Sequence, residues 1–267
     1  MTTEDRSAPA TAHPPALATQ DLFREDAYLR ECRATVVAVQ PDGGIVLDRT
    51  VFYPLGGGQA GDSGVLVRAD GSTVAIADTR KGKDAEGRPT AAIVHVPAPG
   101  EAAPWAVGEA VTARIDWERR HRLMRFHTTT HLLCHLVAQP VNGCSITSDY
   151  ARLDFHMDGA LDKDALTAGI ARLVAEGHAV TLGTVTDAEL DANPALVKSM
   201  SVQPPRGTGQ VRTVRVGGTG EAGAPQIDLQ PCGGTHVAHT GEIGAVVVTK
   251  IEKKGALSRR VVLGFAA

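Results

Sequence analysis

The stretch DWERRHRLMRFHTTTHLLCHLVA, residues 116–138, decides how the chain is read. It contains neither glycine nor proline, and Pro140 lies just beyond its end. Leu123, Phe126, Thr130, Leu133 and Val137 recur at spacings of three and four. That pattern predicts an amphipathic helix, which the proline stops. His127 and His131 sit four apart on it, one turn along the same face. Two imidazoles so placed can converge on a single metal ion. No Glu follows His127, so the built-in base of the metalloprotease pattern is missing. Taken alone, the pair equally fits two surface histidines.

On the N-terminal side of this helix the text is β-like. Arg33–Val39, the turn Pro41-Asp42-Gly43-Gly44 and Ile45–Leu47 predict a strand, a turn and a strand, and Gly64–Val67, Val74–Ala77 and Ala92–Val96 predict more short strands. Short strands between Gly and Pro turns suggest a small barrel or curled sheet. Residues 1–20, rich in Ala, Thr and Pro, read as a disordered lead. On the C-terminal side, a strand over Tyr150–Met157 precedes a helix over Leu161–Gly177, capped by Asp162 or Asp158. Strands near Ala179–Val185, Val211–Val216 and Ala245–Ile251 follow. The expected fold class is α+β, a small N-terminal β-barrel followed by a two-layer α/β unit. The expected division is a lead at 1–20, a barrel domain at 21–112 and a metal-binding domain at 113–267.

Composition narrows the function classes. Apolar residues make up 43% of the 267, enough for an ordinary core, and no apolar run approaches the roughly 18 residues that span a bilayer. The N-terminus lacks the pattern of a secretory signal. Cys32, Cys134, Cys144 and Cys232 do not form a disulfide framework in a chain this long, and a reducing cytoplasm is the expected compartment. The net charge of −3 is unlike that of a dedicated nucleic-acid binder. Two local runs are basic, Arg114–Arg125 and Lys250–Arg260, with net charges of +3 and +4. They suit a phosphate backbone touched at a few points, and equally suit solvated faces.

A second pair of donors lies at Cys232-Gly233-Gly234-Thr235-His236. Its glycines favour a tight turn over a helix, and a thiolate with an imidazole suits a borderline-soft ion such as zinc. His127, His131, Cys232 and His236 together make a tetrahedral donor set. His121, His135, His156 and His239 read as exposed or packing histidines. The run Gly56-Gly57-Gly58-Gln59-Ala60-Gly61-Asp62-Ser63-Gly64 could present backbone N–H groups to an anion. It is no nucleotide-hydrolase phosphate loop, since no Gly-Lys-Ser/Thr follows. It also fits a plain barrel turn, with Asp62 capping or orienting the loop.

These residues, taken in order, resemble the AlaX-type alanyl-tRNA editing proteins, whose catalytic domain is shared with the editing domain of alanyl-tRNA synthetase. The resemblance runs from about Val51 to the C-terminus. It is carried by the glycine-rich run, Arg125–Leu133, Ala151-Arg152-Leu153-Asp154-Phe155, Cys232–His236, Thr240-Gly241-Glu242-Ile243-Gly244 and Lys250–Gly255. It implies that His127, His131, Cys232 and His236 hold one zinc ion per chain. It implies a substrate that is alanine tRNA mischarged with serine or glycine. It also implies that the glycine-rich loop lies near the editing pocket. Related synthetase domains often carry Gln before the Gly that precedes the Arg-x-Asp-Phe strand, whereas this chain reads Val141-Asn142-Gly143-Cys144. The expected substrate contacts are Gly56, Gly57, Gly58, Gln59 and Asp62 at the pocket and Lys253 and Lys254 on the tRNA. Thr130 is the expected catalytic-site residue that meets the hydroxyl of a wrongly attached serine. Four protein ligands leave no open position, which favours zinc as a substrate-positioning ion. The alternatives are a non-catalytic zinc-stabilised tRNA-binding module and a deacylase for another aminoacyl-tRNA. The sequence leaves oligomeric state open.

Overall fold

In a computed structural model, residues 17–101, 104–204, 207, 209–218 and 225–266 are described. Most of the expected lead, residues 1–16, lies outside them. At its end Thr19 is already buried, its hydroxyl donating to the Leu47 carbonyl at 2.8 Å. The first described elements are β1 (Gln20–Asp21), β2 (Glu31–Val39), β3 (Ile45–Leu47), β4 (Arg49–Thr50), β5 (Gly64–Arg68), β6 (Thr73–Lys83), β7 (Pro89–Pro97) and β8 (Ala110–Ile115). Strands β2, β3, β7, β6, β5 and β8 pair in that order, all antiparallel, and β8 returns to β2 to close a barrel. Its interior is filled by aliphatic and aromatic side chains, among them Val36, Leu47, Phe52, Leu66 and Ile76. Closure leaves none of its six strands with an open edge.

Asp116 then caps α1 (Trp117–Val137), its carboxylate accepting from the Arg119 N–H at 3.1 Å. The helix ends at Ala138 in the left-handed conformation, φ 52°. The expected amphipathic character does not hold along its length. From Phe126 to Cys134 every residue is buried, including Thr128, Thr129 and Thr130. A helix buried all round is enclosed by other elements. Here it meets β9 (Val141–Ile146), β10 (Ala151–Phe155), α2 (Lys163–Ala175), the strand Gln226–Pro231 and the short turn Thr240–Ile243, and the glycine-rich loop and the Cys232 loop also reach it. Asp162, not Asp158, caps α2. The remaining elements are β11 (Val180–Thr186), α3 (Asp187–Ala192), β12 (Gln210–Gly217), β13 (Gln226–Pro231), β14 (Val246–Gly255) and β15 (Ser258–Phe265). One sheet runs β14-β15-β10-β9 and another β11-β12-β13. The chain is thus a mixed α/β protein dominated by strands, with three α-helices among the described residues.

The barrel and α1 are joined by a buried ion pair. Arg120 and Asp62 are both fully buried, with Arg120 Nε 2.9 and 3.1 Å from the two carboxylate oxygens. The guanidinium also donates to the Ala27 and Val51 carbonyls, at 3.0 and 2.6 Å. A buried charge is tolerable only when its hydrogen-bonding capacity is met. Here the bonds tie α1 to the loops before β2 and before β5. None of the described helices is long and apolar enough to cross a membrane.

Candidate metal centre

Helix α1 presents His127 and His131 from one face, and the loop after β13 brings Cys232 and His236 to meet them. The four donor atoms lie within 4.8 Å of one another. Cys232 Sγ is 3.4 Å from His127 Nε2 and 3.3 Å from His236 Nε2. A tetrahedron with metal–sulfur near 2.3 Å and metal–nitrogen near 2.0–2.1 Å has a sulfur–nitrogen edge of about 3.5 Å, so the donor set fits zinc. The loop can approach the helix this closely because residue 234 is glycine. A Cβ there would lie 2.1 Å from His127 Cε1.

Each histidine directs Nε2 inward because an oxygen holds its Nδ1. Gln59 Oε1 lies 2.7 Å from His127 Nδ1, Asp228 Oδ2 lies 2.7 Å from His131 Nδ1, and Thr128 Oγ1 lies 3.1 Å from His236 Nδ1. The Gln and Asp oxygens can only accept, which puts the proton on Nδ1 and the lone pair on Nε2. Such outer partners fix ring orientation and raise ligand basicity. Burial pulls the His131 pKa down, but the Asp228 hydrogen bond and the nearby Cys232 raise it to about 9. The lone pair that would take that proton is the one a cation would use. Burial and the His127 ring press His236 down to about 3. Burial alone would raise the Cys232 thiol, but His127 and His236 hold it well below 9.0. A thiolate among imidazoles is the ionisation that a bound divalent cation requires.

The glycine-rich run acts as a clip. Gly56 and Gln59 bond to each other's backbone, and the next turn locks onto β9 through Ala60 N–H to the Ile146 carbonyl at 3.0 Å and Ile146 N–H to the Gly58 carbonyl at 2.8 Å. Gly58, at φ +87°, packs against Cys144, where a Cβ would lie 2.9 Å from the sulfur. The clip buries Gln59 behind the centre. Its Oε1 accepts from His127 and from the Thr235 N–H at 3.1 Å, while Nε2 donates to Thr235 Oγ1 at 2.9 Å.

A cavity of about 430 Å³ opens from His127, His131 and Cys232 and is lined also by Thr130, Gly56, Gly57, Tyr53 and Lys198. Of the residues expected to touch substrate there, Gly56, Gly57 and Thr130 line it, while Gly58, Gln59 and Asp62 do not. Asp62 is engaged by Arg120, and Gln59 orients a ligand. The Thr130 hydroxyl donates to the His127 carbonyl at 2.7 Å, which leaves its acceptor capacity unused by that bond. Lys253 and Lys254 are exposed on β14, away from the cavity lining. Much of the two basic runs is engaged internally. Arg119, Arg122 and Arg125 donate to backbone carbonyls, Arg259 holds the Asp158 and Gly159 carbonyls, and Arg260 pairs with Asp154 at 2.7 Å. None of His121, His135, His156 and His239 belongs to the donor set. The sequence reading missed Asp228 and Thr128. Asp228 stands between Ile227 and Leu229 in a strand, an alternation that turns it to the opposite face.

Comparison with known proteins places these features in context. A family profile described as "Threonyl and Alanyl tRNA synthetase second additional domain" matches residues 211–262, which include Cys232 and His236. One described as "tRNA synthetases class II (A)" matches residues 25–119, the barrel strands. The chain is 34% identical over 254 residues to the alanyl-tRNA editing protein AlaX-M of Methanosarcina acetivorans, covering 91% of this chain and 97% of the relative. It is 31% identical to the AlaX-M protein of Saccharolobus solfataricus, again covering 91% and 97%. It also aligns at 35% identity over 242 residues with the alanine–tRNA ligase of Pyrobaculum aerophilum, covering 88% of this chain and 25% of the ligase.

Proposed function

Because this chain belongs to the alanyl-tRNA editing proteins of the AlaX-M type, we propose that it hydrolyses, in trans, the ester that joins a wrong amino acid to alanine tRNA. The observation that carries the reading is the convergence of His127, His131, Cys232 and His236 beside a cavity that the first three and Thr130 line. Those four residues would hold one zinc ion per chain. When bound, zinc supplies a fixed positive charge that positions the aminoacyl end of the substrate, since four protein donors close the tetrahedron. Residues 113–267 form the editing domain in this reading. Residues 21–112 form a barrel domain whose glycine-rich loop supports the pocket. The compartment is the cytoplasm, where the four free cysteines stay reduced.

Selectivity rests on Thr130. With its proton committed to the His127 carbonyl, its oxygen accepts a hydrogen bond from the hydroxyl of an attached serine. Alanine offers no such donor and would leave a buried acceptor unpaired, a difference of about 1–3 kcal/mol. Glycine shares alanine's lack of a donor but is smaller, and a pocket cannot strongly exclude a smaller group. Exposed Lys253 and Lys254 meet the tRNA backbone at a distance from the ester.

Deacylation of alanine tRNA charged with serine, glycine or alanine, alongside other charged tRNAs, tests the reading. Seryl-tRNA should be cleaved fastest, the glycyl form more slowly and the alanyl form nearly spared. Thr130→Val keeps the shape, removes the acceptor and should narrow the seryl-to-alanyl gap about tenfold with zinc content unchanged. Equal cleavage of seryl and alanyl forms by the wild type would defeat the editing reading. Absence of any cleavage, with tRNA still bound, would leave a binding module.

A further inference from the structure

Two arginines from distant parts of the chain meet at the same cavity. Arg24 comes from the short turn after β1 and Arg212 from β12, and both line the cavity beside the Cys232–Gly234 loop. Arg212 Nη1 donates to the carbonyls of Cys232 and Gly234, at 2.6 and 3.2 Å, which pins its guanidinium against the loop. Its Nε is buried and has no hydrogen-bond partner among the described residues. Arg24 is held by Asp21 through Nε, and its two terminal nitrogens lie 3.6 and 4.0 Å from where a Cβ on Gly233 would stand.

Two guanidiniums face one cavity, Asp21 hydrogen-bonds only Arg24, and the buried Arg212 Nε has no hydrogen-bond acceptor among the described residues. An unmet buried donor costs about 1–3 kcal/mol. A planar guanidinium fork is suited to the paired oxygens of a phosphate. Under the editing reading, on which this step rests, the ester lies by Thr130 and the donor set. The first anion met along the tRNA from there is the phosphodiester that enters the terminal adenosine. We propose that Arg24 and Arg212 form the site for that phosphate. They would anchor the end of the tRNA at the pocket mouth and set how deeply the aminoacyl group enters.

The test uses adenosine with serine attached at the 3′ position through a non-hydrolysable amide, with and without a 5′-phosphate. Binding to the zinc-loaded full chain is measured by calorimetry. The 5′-phosphate should tighten binding at least tenfold. That gain should vanish in Arg24→Gln, return in part in Arg24→Lys, and persist in Arg88→Gln, a change in an exposed ion pair on the barrel. Arg212→Gln should also abolish the gain, with zinc content measured because Arg212 holds the loop. Arg24→Gln contacts no donor and keeps the test valid if Arg212→Gln loses metal. Equal binding of the two analogues by the wild type, or an undiminished gain in Arg24→Gln, would overturn the phosphate site and leave the editing reading standing. Failure of both analogues to bind would overturn both readings.

Discussion

His95 in the barrel and His131 in the candidate metal centre are both buried histidines, yet only one sits where it can bind a metal. Both ring nitrogens of His95 are engaged, Nδ1 at 3.0 Å from the Ile45 carbonyl and Nε2 at 2.8 Å from Thr50 Oγ1. His131 gives Nδ1 to Asp228 and keeps Nε2 among the other donors. Burial drives His95 down to about 4, with only the Ile45 carbonyl opposing, whereas Asp228 and Cys232 lift His131 to about 9. The difference teaches that burial alone does not mark a functional histidine. The partners of its two nitrogens decide whether a lone pair is left to offer.

The largest effect should come from the donors themselves. His131→Ala or Cys232→Ala should lose zinc and reduce deacylation more than about 100-fold, beyond what loss of an outer partner causes. His95→Gln should retain full zinc. Metal analysis of the purified proteins decides it, and full occupancy in both donor variants would break the contrast. Next in size is the acid response of the barrel. The unfolded chain takes up the His95 proton near pH 6.5 and the folded chain only near 4. Its contribution to stability is therefore intact above 6.5 and falls as pH drops, by roughly 3 kcal/mol at pH 4. Denaturant unfolding across that range should show a shallower decline in His95→Gln, and identical slopes would place the acid response elsewhere.

How much of this was legible depends on how local each signal is. The α1 helix was plain because 23 residues pass without Gly or Pro, and the donor pairs because each lies within five residues. Gln59 is expected among the substrate contacts, and the structure sets it against His127. That partner is 68 positions away, and only the docking of the glycine clip on β9 joins them. Strand β9 reads Val-Asn-Gly-Cys-Ser-Ile, whose Asn-Gly suggests a turn, and pairing with β10 overrides that preference. Strand β15 begins Ser-Arg-Arg, and Arg259 there is buried only because five backbone carbonyls surround it. Arg120 did carry a signal. It stands seven residues before His127, on the same helix face, and an arginine there requires a buried acid. Helix α3 carried one too, the capping box from Thr186 to Glu189.

The outer partners grade the contrast further. Asp228→Asn keeps the shape but removes the charge that holds His131 and Lys198. Zinc affinity, measured by competition with a chelator, should fall about 10–100-fold. An unchanged affinity would mean that the ring is oriented by packing alone.

The smallest expected effect is at Thr128. Its hydroxyl stands 3.1 Å from His236 Nδ1 and accepts the Val237 N–H at 3.3 Å, so one neutral group serves both the ring and the loop backbone. A neutral hydrogen bond contributes about 0.5–1.5 kcal/mol and one to a charged group about 1.5–3. Val preserves the branched shape of Thr, so Thr128→Val isolates the hydroxyl with little change in packing. Zinc affinity should therefore fall about 2–10-fold, less than in Asp228→Asn, and the two losses should rank in that order in one chelator titration. The unpaired Val237 N–H should lower stability by about 1 kcal/mol even in the zinc-loaded protein. If Thr128→Val lost as much zinc affinity as Asp228→Asn, the charge on the second nitrogen's partner would not be what separates these histidines, and the geometry of the Cys232–His236 loop would take its place.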